Sequence, residues 1–158
     1  MAASPYDIQI DDRSRSKAVS VDLLKKKVRA MLAAMKWEKA ALSIMLVTDS
    51  EIRKINKKHL SHDWATDVIS FGQLDDSGVE TLVGGRPFLG DIVISVPTAR
   101  RNAVEYGNSL LYEICFYVCH GILHIAGFDD STKKERQRML VIQAALLEDA
   151  GINQNSNK

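Results

Sequence analysis

No apolar run in these 158 residues approaches the length of a membrane-spanning helix, so an integral helical membrane protein is excluded. An excess of one charge is also missing. Lys and Arg number 21 against 20 Asp and Glu, for a net charge of +1. The chain as a whole is therefore no polycation, and any affinity for nucleic acid must come from local clustering. Only two cysteines occur, which rules out a disulfide scaffold. A chain of this length needs none, since it buries about 70% of the surface its unfolded form exposes. The opening segment MAASPYDIQIDDR has neither a basic start nor an apolar core, so no export signal is expected and a cytoplasmic location fits. Internal repeats and linkers are absent as well. Residues 1–150 are accordingly expected to form a single domain, with 151–158 as a polar tail.

The chain does contain alternating short strands and helices. Tyr6, Ile8 and Ile10 alternate as a first strand, and Leu42, Ile44 and Leu46 as a second. Between them Leu24, Val28, Met31, Leu32 and Met35 follow the helical period behind Ser20 as N-cap. Thr48 with Glu51 opens another helix through Lys58. Val68–Phe71 and Ile92–Ser95 are rich in β-branched residues and are joined by an acidic loop from Gly72 to Phe88. Pro97 suits the first turn of a helix that Gly107 ends. Leu110 to Ala126 is apolar almost all round, the mark of a central buried helix. Thr132 and Glu135 form a second capping box, and Met139, Ile142 and Leu146 give the last helix one apolar face. The expected architecture is α+β: a small mixed sheet with helices packed about the central one.

That central helix carries the chemistry. His120 and His124 are four residues apart, hence about 40° apart around the axis, and both imidazoles leave one face. Gly127 can end the helix in a left-handed turn and bring Asp130 back toward them. His120, His124 and Asp130 are therefore the expected ligands of one divalent ion per chain, with zinc the first choice. The pattern HxxxHxxGxxD has the spacing of the extended zincin motif HExxHxxGxxH, but Gly121 stands where zinc proteases keep a glutamate base. A metallopeptidase-like hydrolase is thereby disfavoured.

Other residues invite assignment. Asp67, Asp91 and Asp129 are candidates for orienting the imidazoles. His59 and His62 read as surface residues, with a compensating ligand as the alternative. Cys115 and Cys119 read as small buried residues on the packed face of their helix. Basic clusters fall at Lys25–Arg29, Arg53–Lys58, Arg100–Arg101 and Lys133–Arg138, each a solvated helix face unless the fold gathers them around the metal. Of these, Lys57, Lys58, Arg100 and Arg101 are the candidate RNA contacts.

Three ordered segments carry a specific resemblance. HGILHIAGFDD, from His120 to Asp130, resembles the HGxLHLxGYDH motif of the YbeY family, metal-dependent endoribonucleases of ribosomal RNA maturation. TDVISF (Thr66–Phe71) is similar to that family's TDVLSF strand, and LGDIVIS (Leu89–Ser95) to its LGDI strand. The resemblance spans about residues 6 to 150 and implies a zincin-like fold. It further implies a single-strand-specific endoribonuclease using a zinc-activated water, with ribosomal RNA and the small ribosomal subunit as partners. Two positions depart from the pattern. The family's third histidine falls on Asp130, and its NxxYR motif reads Asn56-Lys57-Lys58-His59-Leu60, which puts Leu60 at the arginine. The alternative function is a non-catalytic, RNA-binding ribosome-assembly factor that keeps the metal-site fold.

Overall fold

The computed structural model describes residues 4–17, 19–60, 68–72 and 82–154. His62, Thr66 and Asp67 lie outside the described residues, as do 73–81 of the expected acidic loop and the side chains of His59 and Leu60. The elements run β1 (Tyr6–Asp12), α1 (Val21–Ala34), β2 (Ala40–Val47), α2 (Asp49–Leu60), β3 (Val68–Gly72), β4 (Leu82–Val83), β5 (Arg86–Ser95), α3 (Val96–Tyr106), α4 (Leu110–Ile125) and α5 (Lys133–Asp149).

The sheet is mixed, in the order β1-β2-β5-β3. β1, β2 and β5 are parallel, while β3 closes one edge antiparallel to β5. β5 is longer than the four residues expected. It begins at Arg86, where it pairs with β4 in a hairpin turned at Gly84 and Gly85, so part of the anticipated loop is strand.

The period-two alternation of the strands decides which helix covers which face. Leu42, Ile44, Leu46, Ile92 and Ile94 join α1 and α4 residues in the large core, which also includes Met139 and Leu147 of α5. Val47, Ile69 and Val93 point the other way and pack against Ile52 of α2. α4 is thus the central element expected, with Leu111, Ile114, Cys115, Val118, Cys119 and Ile122 buried. Each large aliphatic side chain buried there contributes about 1.5–3 kcal/mol.

The caps follow the sequence. Ser20 Oγ accepts from Leu23 N, and Thr132 and Glu135 form the reciprocal capping box of α5. The apolar face of α5 is rotated by one residue from the expected one. Met139, Gln143 and Leu147 are buried, whereas Ile142 and Leu146 are only partly so. The packing also passes the boundary expected at 150. Ile152 is buried and donates to Leu147 O, and Ser109 N donates to Gln154 O at 2.8 Å. The docked residues after Gly151 are held because α5 ends against the start of α4.

Candidate metal centre

The site forms at the C-terminal end of α4. The Nε2 atoms of His120 and His124 approach to 3.0 Å, as residues one turn apart on one face can. Past Ile125 the helix closes through Gly127 N donating to His124 O and Phe128 N to Leu123 O, both at 3.0 Å. Gly127 has φ of 101°, a conformation strained for any residue with a Cβ. The chain reversal carries Asp130 Oδ2 to 3.4 Å from His120 Nε2 and 3.2 Å from His124 Nε2.

These three atoms fit a metal ion. A tetrahedral ion with bonds of about 2.0–2.1 Å holds its ligand atoms about 3.3–3.4 Å apart, close to the triangle observed. In the tautomers that leave a lone pair on each Nε2, the three converging atoms are all acceptors, which a shared cation satisfies. Among the described residues no other group of three or more such ligands converges this way.

One imidazole is oriented by a residue that sequence reasoning missed. Gln143 of α5 is 0% exposed. Its Nε2 donates to Phe116 O at 3.1 Å, which turns Oε1 toward His120 Nδ1, also at 3.1 Å. An amide oxygen only accepts, so His120 keeps its proton on Nδ1 and presents the Nε2 lone pair to the ligand triangle. The available signal was positional, since Gln143 lies four residues after Met139 and four before Leu147 on the buried stripe.

Two of the acids considered for that role, Asp91 and Asp129, lie among the described residues, and neither is placed to take it. Asp91 has the strand parity of Val93, so it sits on the α2 face of the sheet, away from Ile92 and α4. Asp129 folds over the following turn and accepts from Asp130 N, Ser131 N and Ser131 Oγ. Those bonds, the Ser131 hydroxyl foremost, hold its carboxyl below the ordinary range, with His124 adding a smaller electrostatic effect. Asp129 therefore shapes the loop that delivers Asp130. Arg136 helps, with Nη1 donating to Asp130 O and Ser131 O at 3.4 and 3.3 Å.

Gly121 is explained by packing. It faces β5, and a Cβ added there would lie 2.9 Å from Ile92 Cδ1. A glutamate base, like any side chain at this position, would first have to push the Ile92 side chain aside.

The candidate RNA contacts are not gathered at the triangle. Lys57 and Lys58 are exposed on α2, which packs on the sheet face opposite α4. Arg100 is exposed on α3. Arg101 is 62% exposed but pairs with Asp49 at 3.0 Å. Burial alone would raise the Asp49 carboxyl; the hydrogen bonds from Ser95, Thr98 and Arg101 outweigh it and hold the group below its usual value. The cysteines are buried free thiols pushed up to about 12 by burial, so at neutral pH they stay protonated and are poor nucleophiles.

Comparison with known proteins agrees with the geometry. Residues 9–151 match the family model described as Endoribonuclease YbeY. A protein named Endoribonuclease YbeY from Bacillus licheniformis is 42% identical over 120 residues, covering 74% of this chain and 76% of its own length. Its namesake from Bacillus subtilis is 35% identical over 153 residues, covering 92% and 98%. The solution structure of a Thermotoga maritima protein superposes with a TM-score of 0.62 at 25% identity, covering 90% of this chain and 88% of that one. A histidine helix laid on a mixed sheet, the ordered motifs and a match running almost end to end agree on one conclusion: the chain belongs to the Endoribonuclease YbeY family.

Proposed function

We propose that the protein is a metal-dependent endoribonuclease that cuts single-stranded segments of ribosomal RNA during small-subunit maturation in the cytoplasm. The reading is carried by the ligand triangle of His120, His124 and Asp130 in a chain whose relatives are named endoribonucleases. One zinc ion per chain, held by these three residues, supplies Lewis acidity near neutral pH toward both a phosphodiester oxygen and a water molecule. Gln143 keeps His120 in the tautomer that can ligate. Asp130 adds a negative charge where the family pattern has a neutral imidazole, so the site is less electrophilic and turnover is slow. With Gly121 packed on Ile92, no base next to His120 takes a proton from water. Lys57, Lys58 and Arg100, exposed away from the triangle, would meet RNA phosphates only outside the segment that is cut, and Arg101 only by sharing its guanidinium with Asp49.

The non-catalytic assembly factor is not favoured. Its one support is Leu60 at the family's arginine, and the ligand set is complete without that residue.

Incubating the protein with ribosomal RNA, with and without chelator, tests the reading. Cleavage confined to single-stranded segments is expected, lost on chelation and lost in His120→Ala and His124→Ala together with bound metal by elemental analysis. Cutting that survives chelation and both substitutions would sink it.

A further inference from the structure

A second cavity opens one to two turns up α4 from the histidines and shares no residue with the ligand triangle. It encloses about 420 Å³. Tyr112, Glu113 and Phe116 of α4 line it, with Tyr106 of α3, Asn108 of the connection between them and Leu140 of α5.

Two features set its chemistry. The first is an unpaired negative charge. Glu113 is 4% exposed, and its Oε1 accepts from Asn108 Nδ2 at 2.6 Å, yet among the described residues no Lys or Arg lines the cavity. Asn108 Oδ1 is buried with no partner among the described residues, a second acceptor beside Glu113 that no donor meets. A carboxylate withdrawn from water costs free energy that a cation offsets. Glu113 also lies in the first turn of α4, where the helix dipole favours it. That accounts for the acid, but not for the open aromatic chamber beside it.

The second feature is the aromatic wall. The Tyr112 and Phe116 rings lie 6.1 Å apart at an interplanar angle of 26°. At the mouth Tyr106 is 64% and Leu140 50% exposed, large apolar side chains that the fold itself does not cover. Ring faces attract cations, and a flat guanidinium stacks on them while its fork of donors meets a carboxylate. An ammonium lacks the flat face. A nucleotide brings phosphate, for which this lining holds no cation.

We propose that the cavity is a recognition pocket for an arginine side chain presented by a partner protein, with Glu113 pairing the guanidinium and Tyr106, Tyr112 and Phe116 flanking its plane. The pocket is independent of the metal reading, since a chain that binds no metal would still present it.

The test is a titration of the full chain with acetyl-Ala-Arg-Ala-amide, followed by backbone amide shifts in NMR spectra. Saturable shifts clustered at Tyr112, Phe116 and Leu140 are expected. The same peptide with citrulline, planar but uncharged, should bind about tenfold more weakly, as should the arginine peptide to Glu113→Gln. Because Glu113 is buried and its replacement can impair folding, Tyr106→Ala at the exposed mouth provides a second readout, with affinity down about threefold. Equal binding of the citrulline peptide overturns the proposal. So does an arginine response indifferent to Tyr106→Ala, or a response to guanosine with none to arginine, which would mark a nucleobase subsite instead.

Discussion

Gln143 shows how much one buried amide decides. Both of its polar ends are used, one on the backbone of α4 and one on an imidazole of the candidate metal triangle. Replacing it with leucine of similar size keeps the volume but removes the acceptor that fixes the His120 tautomer. Metal affinity in Gln143→Leu should fall about 10- to 100-fold in competition with a chromophoric chelator, at a stability cost of about 1 kcal/mol for the lost bond to Phe116 O. Unchanged affinity would mean the imidazole is oriented some other way. Gly121 decides by absence. In Gly121→Ala the added methyl meets Ile92, and thermal or urea unfolding should show a loss of about 1–3 kcal/mol from overpacking. The convergence of His120, His124 and Asp130 was legible in the sequence because they fall within eleven consecutive residues ending on a helix and its turn. Gln143 was not, because a glutamine in a helical period reads as solvated surface.

Among the elements, α2 and α3 are tied at their starts by one carboxylate. Asp49 opens α2 and accepts from Ser95, the N-cap of α3, and from Thr98 and Arg101 in the helix body. Its folded value is depressed. The stability it contributes is therefore present above the unfolded value of about 3.9 and is lost as pH falls through the lower folded value. Asp49→Asn should be less stable than the parent by about 1–2 kcal/mol at pH 6. The gap should persist down to about pH 4 and close only below it, in denaturant titrations across pH. A gap that stays constant to the lowest pH at which the protein folds would show that the charge is not what the latch uses. The strands, helices and caps were largely readable from period and capping residues, since these are local properties. The early start of β5 was not, because β4 spans two residues and acquires its identity only by pairing.

For the whole molecule the open matter is charge. With a net charge of +1, RNA affinity must come from patches. Replacing Lys57, Lys58, Arg100 and Arg101 with glutamine should weaken RNA binding and flatten its dependence on salt, since each phosphate contact releases counterions. An unaltered affinity and slope would return these side chains to the solvated-face reading. The structure already distinguishes them, because Arg101 is shared with Asp49 and α2 lies across the sheet from the histidines.

The sequence by itself determined what acts over one or two turns of chain: the paired imidazoles, the glycine that turns the chain toward Asp130, the helix caps and the burial of α4. Only the tertiary structure decided what depends on distant segments meeting. It set Gln143 against His120 across 23 positions and Arg101 against Asp49 across 52, turned Asp91 away from the site, and pressed Gly121 onto Ile92. Periodicity reports which face of an element is apolar. Which partner that face meets is set by the packing of the whole chain, and there a polar side chain such as Gln143 is retained in the core because both its donor and its acceptor are satisfied.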